Sequence, residues 1–261
     1  MIIHYDIPEL EPYINWVYFF FAWQLKGEEE QKRMRAEAED FLHQHVGHYR
    51  AHALFLIEDT HSIGDNIVLE RTGTLIPLLR QQQGTPCLCL SDFLNPEHDK
   101  LGLFATSVDA GLETDFNHDP YSKMLAQLLA DRLAEAAAER MHEEVRKNYW
   151  GYAHDEHLSI SDLHVEKFQG IRPAVGYPSL PDGSVNFLLD EVLDMKQIGI
   201  RLTENGAMRP HASVSGLMIS HPQARYFSVG KIGDDQLADY ARRRSIPLEL
   251  ARKFLASNLS S

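Results

Sequence analysis

The feature that most constrains this fold is a long helix. Asp119-Pro120 is followed by Leu125, Leu128, Leu129, Leu133, Met141 and Val145 at helical spacing, with alanines between them. Apolar residues recurring three and four positions apart mark one face of a helix. Proline is tolerated in the first turn, where its missing N–H has no intrahelical partner. The pattern predicts a helix over residues 120–149, roughly 45 Å long at 1.5 Å per residue. Around it, residues 53–57, 67–69, 87–90, 101–108, 202–205, 213–220 and 225–229 read as strands, with Gly64-Asp65-Asn66 as a hairpin turn signal. Further helices are expected over residues 28–45, from near Ser161 with Ser159 or Ser161 as its cap, over 184–198 with Ser184 as its cap, and over 234–243 and 247–255. Periodicity leaves residues 16–23 open between strand and buried helix. Short strands joined by hairpin-length turns beside one very long helix indicate an α+β fold, not a repeating β-α parallel one.

Charge narrows the partners. The 261 residues carry 25 Lys and Arg against 38 Asp and Glu, a formal net charge of −13. So acidic a chain repels phosphate backbones, and nucleic-acid binding would need a strong basic patch. The one candidate, Arg242-Arg243-Arg244, reads as a solvated helix face. Residues 16–23 are apolar but too short to span a bilayer, and the N-terminus has no basic-then-apolar signal pattern. Cys87 and Cys89 are too few for a disulfide framework and read as buried free thiols on a strand. The expectation is a soluble cytoplasmic protein that binds neither membrane nor nucleic acid. His43, His45 and His48 read as a helix C-terminus favouring cations, with no metal site expected. Dinucleotide, P-loop, metalloprotease and nucleophile-elbow motifs are missing from the sequence.

The segment with chemical promise is Gly170-Ile-Arg-Pro-Ala-Val-Gly-Tyr-Pro178. Two prolines fix their own φ and bias Arg172 and Tyr177 toward extended shapes. Gly170 and Gly176 allow a turn or a close approach. The result is a stiff loop that loses little entropy on binding, carrying an arginine fork for a carboxylate and a tyrosine with a flat face and a hydroxyl. The same residues also suit a structural connector with a surface arginine.

Arg172-x-x-x-Gly176-Tyr177 resembles the signature of the S-adenosylmethionine-binding reactivation (activation) domain of cobalamin-dependent methionine synthase. The segments Asp131–Glu135, Val145–Ala153, Gln169–Ala174, Leu202–Glu204, Ala212–Gly216, Ser220–Pro222 and Asp239–Arg243 are similar to that family's segments, in its order. Asn15-Trp16, Phe19-Phe20 and Trp23 resemble its opening, so the resemblance covers essentially the whole chain, 1–261, as a single domain. It implies a C-shaped α+β domain with a twisted antiparallel sheet, one long central helix and flanking helices. It implies S-adenosylmethionine bound by this chain, cobalamin on a partner methionine synthase chain, and a flavodoxin-like electron donor. The donor would supply an electron to inactive cob(II)alamin, and S-adenosylmethionine the methyl that traps the reduced cobalt, in support of methionine biosynthesis. By the same resemblance Arg172 meets the ligand's polar end; Ala174, Gly176 and Tyr177 form its loop contacts; Tyr226 touches the ligand; Phe227 stands where a second tyrosine is usual; and Glu135 and Glu166 lie near the site.

Asn15 stands where the family pattern has an aspartate for the ligand's ammonium, so the affinity expected is about tenfold lower than with an aspartate. Arg209 and His211 stand where tryptophan and glycine are usual; with Ser213 they form the expected cobalamin-facing turn. The chain is expected to contain no cobalamin-binding Asp-x-His-x-x-Gly motif and no substrate-binding modules. The chain is therefore expected to act in trans on a corrinoid protein and to be no complete enzyme alone. A docking scaffold without productive ligand use, and an activase for another corrinoid methyltransferase, are the alternatives.

Overall fold

The computed structural model describes residues 1–259. Its strands are β1 (Ile2–Asp6), β2 (Arg50–Ile63), β3 (Asn66–Leu69), β4 (Leu75–Pro77), β5 (Asp99–Val108), β6 (Arg201–Leu202), β7 (Met208–Arg209) and β8 (Ser213–Met218). Its α-helices are α1 (Ile7–Leu10), α2 (Trp16–Ala22), α3 (Glu28–Gln44), α4 (Gly111–Thr114), α5 (Pro120–Glu144), α6 (Ile160–His164), α7 (Val185–Leu193), α8 (Asp234–Arg243) and α9 (Leu248–Phe254). The architecture is α+β, as expected.

The main sheet is antiparallel in the order β4-β3-β2-β5-β8. Strand β2 has 14 residues, long enough to serve two neighbours on one edge. Its first part pairs with β1, Ile2 opposite Leu54, and its last part with β3, Thr60 opposite Leu69. The period-2 alternation of strand side chains sends Ala51, Ala53 and Phe55 into the core beneath α5, and Leu54 into a second core on the opposite face. In β5, Phe104 and Val108 face α5, while Leu101, Leu103 and Ala105 face the other way. That two-sided burial explains the nearly unbroken apolar run of β5.

Helix α5 lies across β2, β5 and β8. Ala126, Ala130, Ala134 and Ala137 are buried, and their small side chains let the helix axis approach the sheet closely. Thr106 Oγ1, buried beneath the helix, donates to the Ala134 carbonyl at 2.9 Å. Asp119 caps the start through Ser122 N–H at 2.9 Å. After Glu144 the helix widens into a π turn, Val145–Tyr149, where Trp150 N–H reaches the Val145 carbonyl at 2.8 Å. The single helix expected over residues 120–149 is thus an α-helix with a π-helical last turn.

Several local expectations need correction. Residues 16–23 resolve as helix, with Trp16 and Phe19 on the buried face. Residues 87–90 form no strand. The Leu88 and Cys89 N–H groups go to Gln81 Oε1 and Asp92 Oδ2, at 3.0 and 2.8 Å, so side chains have taken the ladder positions. Cys89 is buried and Cys87 half-buried, both free, and burial pushes the Cys89 thiol up to about 11. Residues 225–229 also form no strand, because Phe227 N–H and C=O both bond to Ser179 Oγ. Residues 202–205 shrink to the two-residue strand β6 paired with β7. Strand 213–220 ends at Met218, and Ile219 continues as a bridge to Ile171. Helix 184–198 breaks at Asp194, whose φ of 55° lies in the left-handed region, and resumes as a 3-10 turn, Met195–Ile198. The Ser184 hydroxyl does not cap it but lies 3.1 Å from Arg244 Nη2, which donates to it.

The arginine triplet is no solvated face. Arg242 is exposed, but Arg243 donates to the Asp65 and Leu78 carbonyls, and Arg244 pairs with buried Asp182 at 3.5 Å. The run staples α8 to the sheet and to the turn before α7. Among the described residues no helix is long and apolar enough to cross a membrane, and no cluster of three metal-ligating side chains occurs. His43 pairs with Glu11 at 3.0 Å.

Candidate functional site

The site forms where α5, α2 and the 170–180 segment meet beside β8. That segment is laid along the free edge of β8. Ile171 N–H bonds the Ile219 carbonyl at 2.9 Å, Leu217 N–H the Pro173 carbonyl at 3.0 Å, and Val175 N–H the Ser215 carbonyl at 2.9 Å. Proline suits such an edge, because only its carbonyl is asked to pair. Gly216 is required here: a Cβ on it would collide with the Pro173 carbonyl oxygen. Gly176, with φ of 88°, sits in the turn that brings Tyr177 N–H to the Ala174 carbonyl at 3.3 Å, and its own N–H donates to the Leu180 carbonyl at 2.8 Å.

Between this segment and the helices lies a cleft of about 770 Å³, a size suited to a small organic ligand. Helix α5 contributes Arg132, Glu135 and Glu139, spaced three and four apart and so on one face. Helix α2 contributes Tyr18 and Phe21, with Asn15 at its N-cap. The 172–178 segment contributes Arg172, Ala174 and Tyr177; Glu166, Tyr226 and Phe227 complete the expected set. Gly176, Arg209, His211 and Ser213 lie outside the lining. Arg209, the last residue of β7, and His211, on the connection from β7 to β8, are both exposed. His211 N–H donates to Glu113, and the His211 ring sits 3.9 Å from Asp131. Ser213 Oγ is spent on the Pro210 carbonyl at 2.8 Å.

Arg172 is not the free fork expected. Its Nη2 donates to Glu139 Oε2 at 2.7 Å and its Nη1 points at His142 Nδ1, 3.0 Å away. A guanidinium has five N–H donors, so three remain. The Glu139 carboxylate holds the Arg172 pKa above its usual value despite burial. Tyr226 Oη accepts the Arg172 backbone N–H at 2.9 Å, and burial raises this phenol. The Phe227 N–H is committed to Ser179 Oγ at 3.1 Å, and its carbonyl accepts one bond from the same hydroxyl. Asn15 Oδ1 accepts the Val17 N–H at 3.2 Å as the cap of α2. Glu135 pairs with Arg132 at 2.8 Å, and burial still raises its carboxyl pKa. Burial raises Glu166 likewise, the nearby Arg172 opposing it.

Behind Arg172 stands a charged cluster absent from the expectations. His142 and Arg146 are completely buried. Arg146 Nη1 reaches the same His142 Nδ1 at 2.9 Å and grips Glu156 at 2.6 Å through Nη2. Glu135, Glu139, His142 and Arg146 follow one another at spacings of four, three and four. That polar stripe inside an alanine-rich helix was the available signal for them.

One string departs from the expectation of no cobalamin-binding motif. Asp59-Thr-His61-Ser-Ile-Gly64 has the Asp-x-His-x-x-Gly spacing. It occupies the end of β2 and its hairpin turn, where His61 is paired with Val68 and its ring lies 3.5 Å from Glu70. A motif counts only in its structural context, and here the histidine is committed to a paired strand beside Glu70.

An α+β fold with a charged, aromatic-rimmed groove beside its sheet edge defines a small-molecule-binding protein. Comparison sharpens the class: residues 6–245 match the family model described as vitamin B12 dependent methionine synthase, activation domain, and the chain belongs to that family. Among solved structures it is similar to the MetH reactivation domain bound to AdoHcy, with 36% sequence identity and a TM-score of 0.91 over 100% of this chain and 91% of that one.

Proposed function

We propose that the groove binds S-adenosylmethionine and presents its methyl group for reductive reactivation of cobalamin held by a methionine synthase partner. The observation carrying this reading is the convergence of Asn15, Arg172, Ala174, Tyr177, Tyr226, Glu135 and Glu166 in one cleft of a fold similar to the AdoHcy-bound MetH reactivation domain. The donor set suits the ligand. Three carboxylates line the cleft, Glu135, Glu139 and Glu166, against the arginines Arg132 and Arg172. A sulfonium is a cation, and carboxylates around it are favourable. The unused N–H groups of Arg172 suit the ligand's carboxylate, and the Tyr18, Phe21 and Tyr177 rings offer apolar faces to its adenosyl part.

Reduced cobalamin held by the partner would supply the electron pair that takes the methyl, the methyl–sulfur bond breaking with its electrons left on sulfur. Arg172 holds the amino-acid end, the edge segment bearing Ala174 and Tyr177 fixes the depth of the ligand, and the aromatic rim excludes water. AdoHcy is the product left in the groove. We place the whole chain in this role as one domain, with Gly176 shaping the loop and the Arg209–Ser213 turn meeting the partner's cofactor. A flavodoxin-like protein is the proposed electron donor. A cytoplasmic location suits the two unpaired cysteines.

The test mixes the protein with a methionine synthase carrying cob(II)alamin but lacking its own reactivation domain, an electron donor and S-adenosylmethionine. The absorption spectrum should convert to that of methylcobalamin. No conversion with a demonstrably active donor overturns the proposal. The Asn15 Oδ1 engaged in the α2 cap favours the second reading, a docking scaffold; no binding at millimolar S-adenosylmethionine would favour it over the first.

A further inference from the structure

The most unusual arrangement in the molecule lies beneath the groove. Two guanidiniums converge on one imidazole nitrogen: Arg172 Nη1 at 3.0 Å and Arg146 Nη1 at 2.9 Å from His142 Nδ1. Like charges converge this way only when each has its own counter-ion. Arg172 has Glu139 at 2.7 Å and Arg146 has Glu156 at 2.6 Å. The cluster thus holds two positive and two negative charges around a ring that is 0% exposed.

An arginine has no acceptor. Both contacts therefore require a bare Nδ1 lone pair and place the ring proton on Nε2. Tyr152 Oη lies 3.4 Å from Nε2 and 3.4 Å from the Gln169 carbonyl, three residues before Arg172. The chain of polar groups therefore leaves Arg172 through His142 and returns by Tyr152 to the start of the same segment. A charged imidazolium would set a third cation against the two arginines, and burial with those neighbours drives the His142 pKa well below its usual value. The Arg146 guanidinium also lies over the Phe168 ring, 4.2 Å from its centroid, which closes the far side of the cluster.

We propose that His142 is a positioning residue: its neutral ring, with a bare Nδ1, sets the direction in which Arg172 presents its remaining N–H groups to the ligand. Arg146 and Glu156 hold the ring from behind. With no acceptor at that position, Arg172 would keep its ion pair with Glu139 but could swing about it, since a single contact fixes a distance and not an orientation. The affinity consequence rests on the ligand assigned above; the ring's protonation state and the restraint on Arg172 do not.

The test uses the full chain and two substitutions. Asparagine at 142 can set an amide oxygen near the position of Nδ1, whereas leucine removes the acceptor. Nitrogen-15 NMR of the wild type at pH 7 should show a neutral His142 ring protonated at Nε2, and slowed rotation of the Arg172 guanidinium. His142→Leu should free that rotation and weaken AdoHcy binding about tenfold or more, the loss expected for one hydrogen bond to a charged group. His142→Asn should restore both to within about threefold of wild type. A ring protonated at Nδ1, a charged ring, wild-type Arg172 rotation in His142→Leu, or an Asn variant as impaired as a folded Leu variant would each overturn the proposal. A purely structural role would lower the melting temperature of both variants alike and leave the affinity of the folded fraction unchanged, which also overturns it. If the wild type binds no AdoHcy, the ligand reading fails, while the ring and guanidinium signals still decide the role of His142.

Discussion

The phenol of Tyr226 accepts the backbone N–H of Arg172 at 2.9 Å, across 54 residues of sequence. A residue expected to touch the ligand thus braces the segment that carries another expected ligand residue. Pro173 biases Arg172 toward an extended backbone, the bonds of Ile171 and Pro173 to β8 hold it from either side, and the Tyr226 hydroxyl takes its own N–H as a third tie.

Tyr226→Phe tests the brace. The ring keeps its place and only the hydrogen bond goes, at a cost of about 1 kcal/mol. Affinity for AdoHcy should fall about fivefold. The melting temperature should fall by about 2–4 °C, since the lost bond also ties the edge segment in the free protein. An unchanged affinity measured by calorimetry would return Tyr226 to a packing role.

Asn15→Asp should raise S-adenosylmethionine affinity about tenfold, the step from a neutral to a charge-assisted hydrogen bond. Aspartate caps a helix as well as asparagine does, so α2 is preserved, and its negative charge is favourable at the helix N-terminus. Stability should hold or rise slightly. Equal calorimetric affinities for the two proteins would remove residue 15 from the ammonium contact.

Gly216→Ala should damage the fold and the site together. The new Cβ meets the Pro173 carbonyl and the Ala174 backbone, neither the far end of a flexible side chain. Forcing the edge segment off β8 should cost about 2 kcal/mol, or about 4–8 °C in melting temperature for a chain of this size. It should also weaken ligand binding, because Arg172 and Ala174 lie on the displaced segment. A melting curve that overlays the wild type would show that the segment is not pinned there.

The parts of the fold legible in the sequence were those governed by periodicity over many residues. Helix α5, helix α3 and strand β5 fall close to their expected bounds because their patterns run over many residues, and α5 has a local cap in Asp119. Residues 87–90 and 225–229 carry the composition of strands, but whether a strand forms depends on a neighbouring edge, and here Gln81, Asp92 and Ser179 had taken the backbone groups first. The same holds for Arg243 and Arg244, whose partners Asp65 and Asp182 are distant in sequence. At the site, the loop arginine, the tyrosines and Asn15 were visible through resemblance. Glu139, His142 and Arg146 were not, because a charged stripe on a helix reads as a wet surface until the sheet, the loop and Phe168 are known to cover it.

Acidification should separate the methylated ligand from its product. Burial raises the carboxyl pKa values of Glu135 and Glu166 above the usual range, so both take up protons above about pH 4.5, where an ordinary glutamate remains mostly ionised. Each proton removes a negative charge facing the groove. The sulfonium of S-adenosylmethionine loses an attraction that the neutral thioether of AdoHcy never had. S-adenosylmethionine affinity should therefore fall as the pH is lowered from neutral toward about 4.5, with AdoHcy affinity changing less. Unfolding does not mimic this. A carboxyl whose folded pKa is raised binds its proton more readily in the folded state, so these two groups add stability as the pH falls through that window. Asp162, held at about 2 by Lys167 and Ser159, contributes stability that is lost only as the pH falls from about 4 toward 2. Calorimetric titration of both ligands at the two pH values, with a melting curve at each, is the measurement. Parallel pH profiles for the two ligands would place the sulfonium away from Glu135 and Glu166.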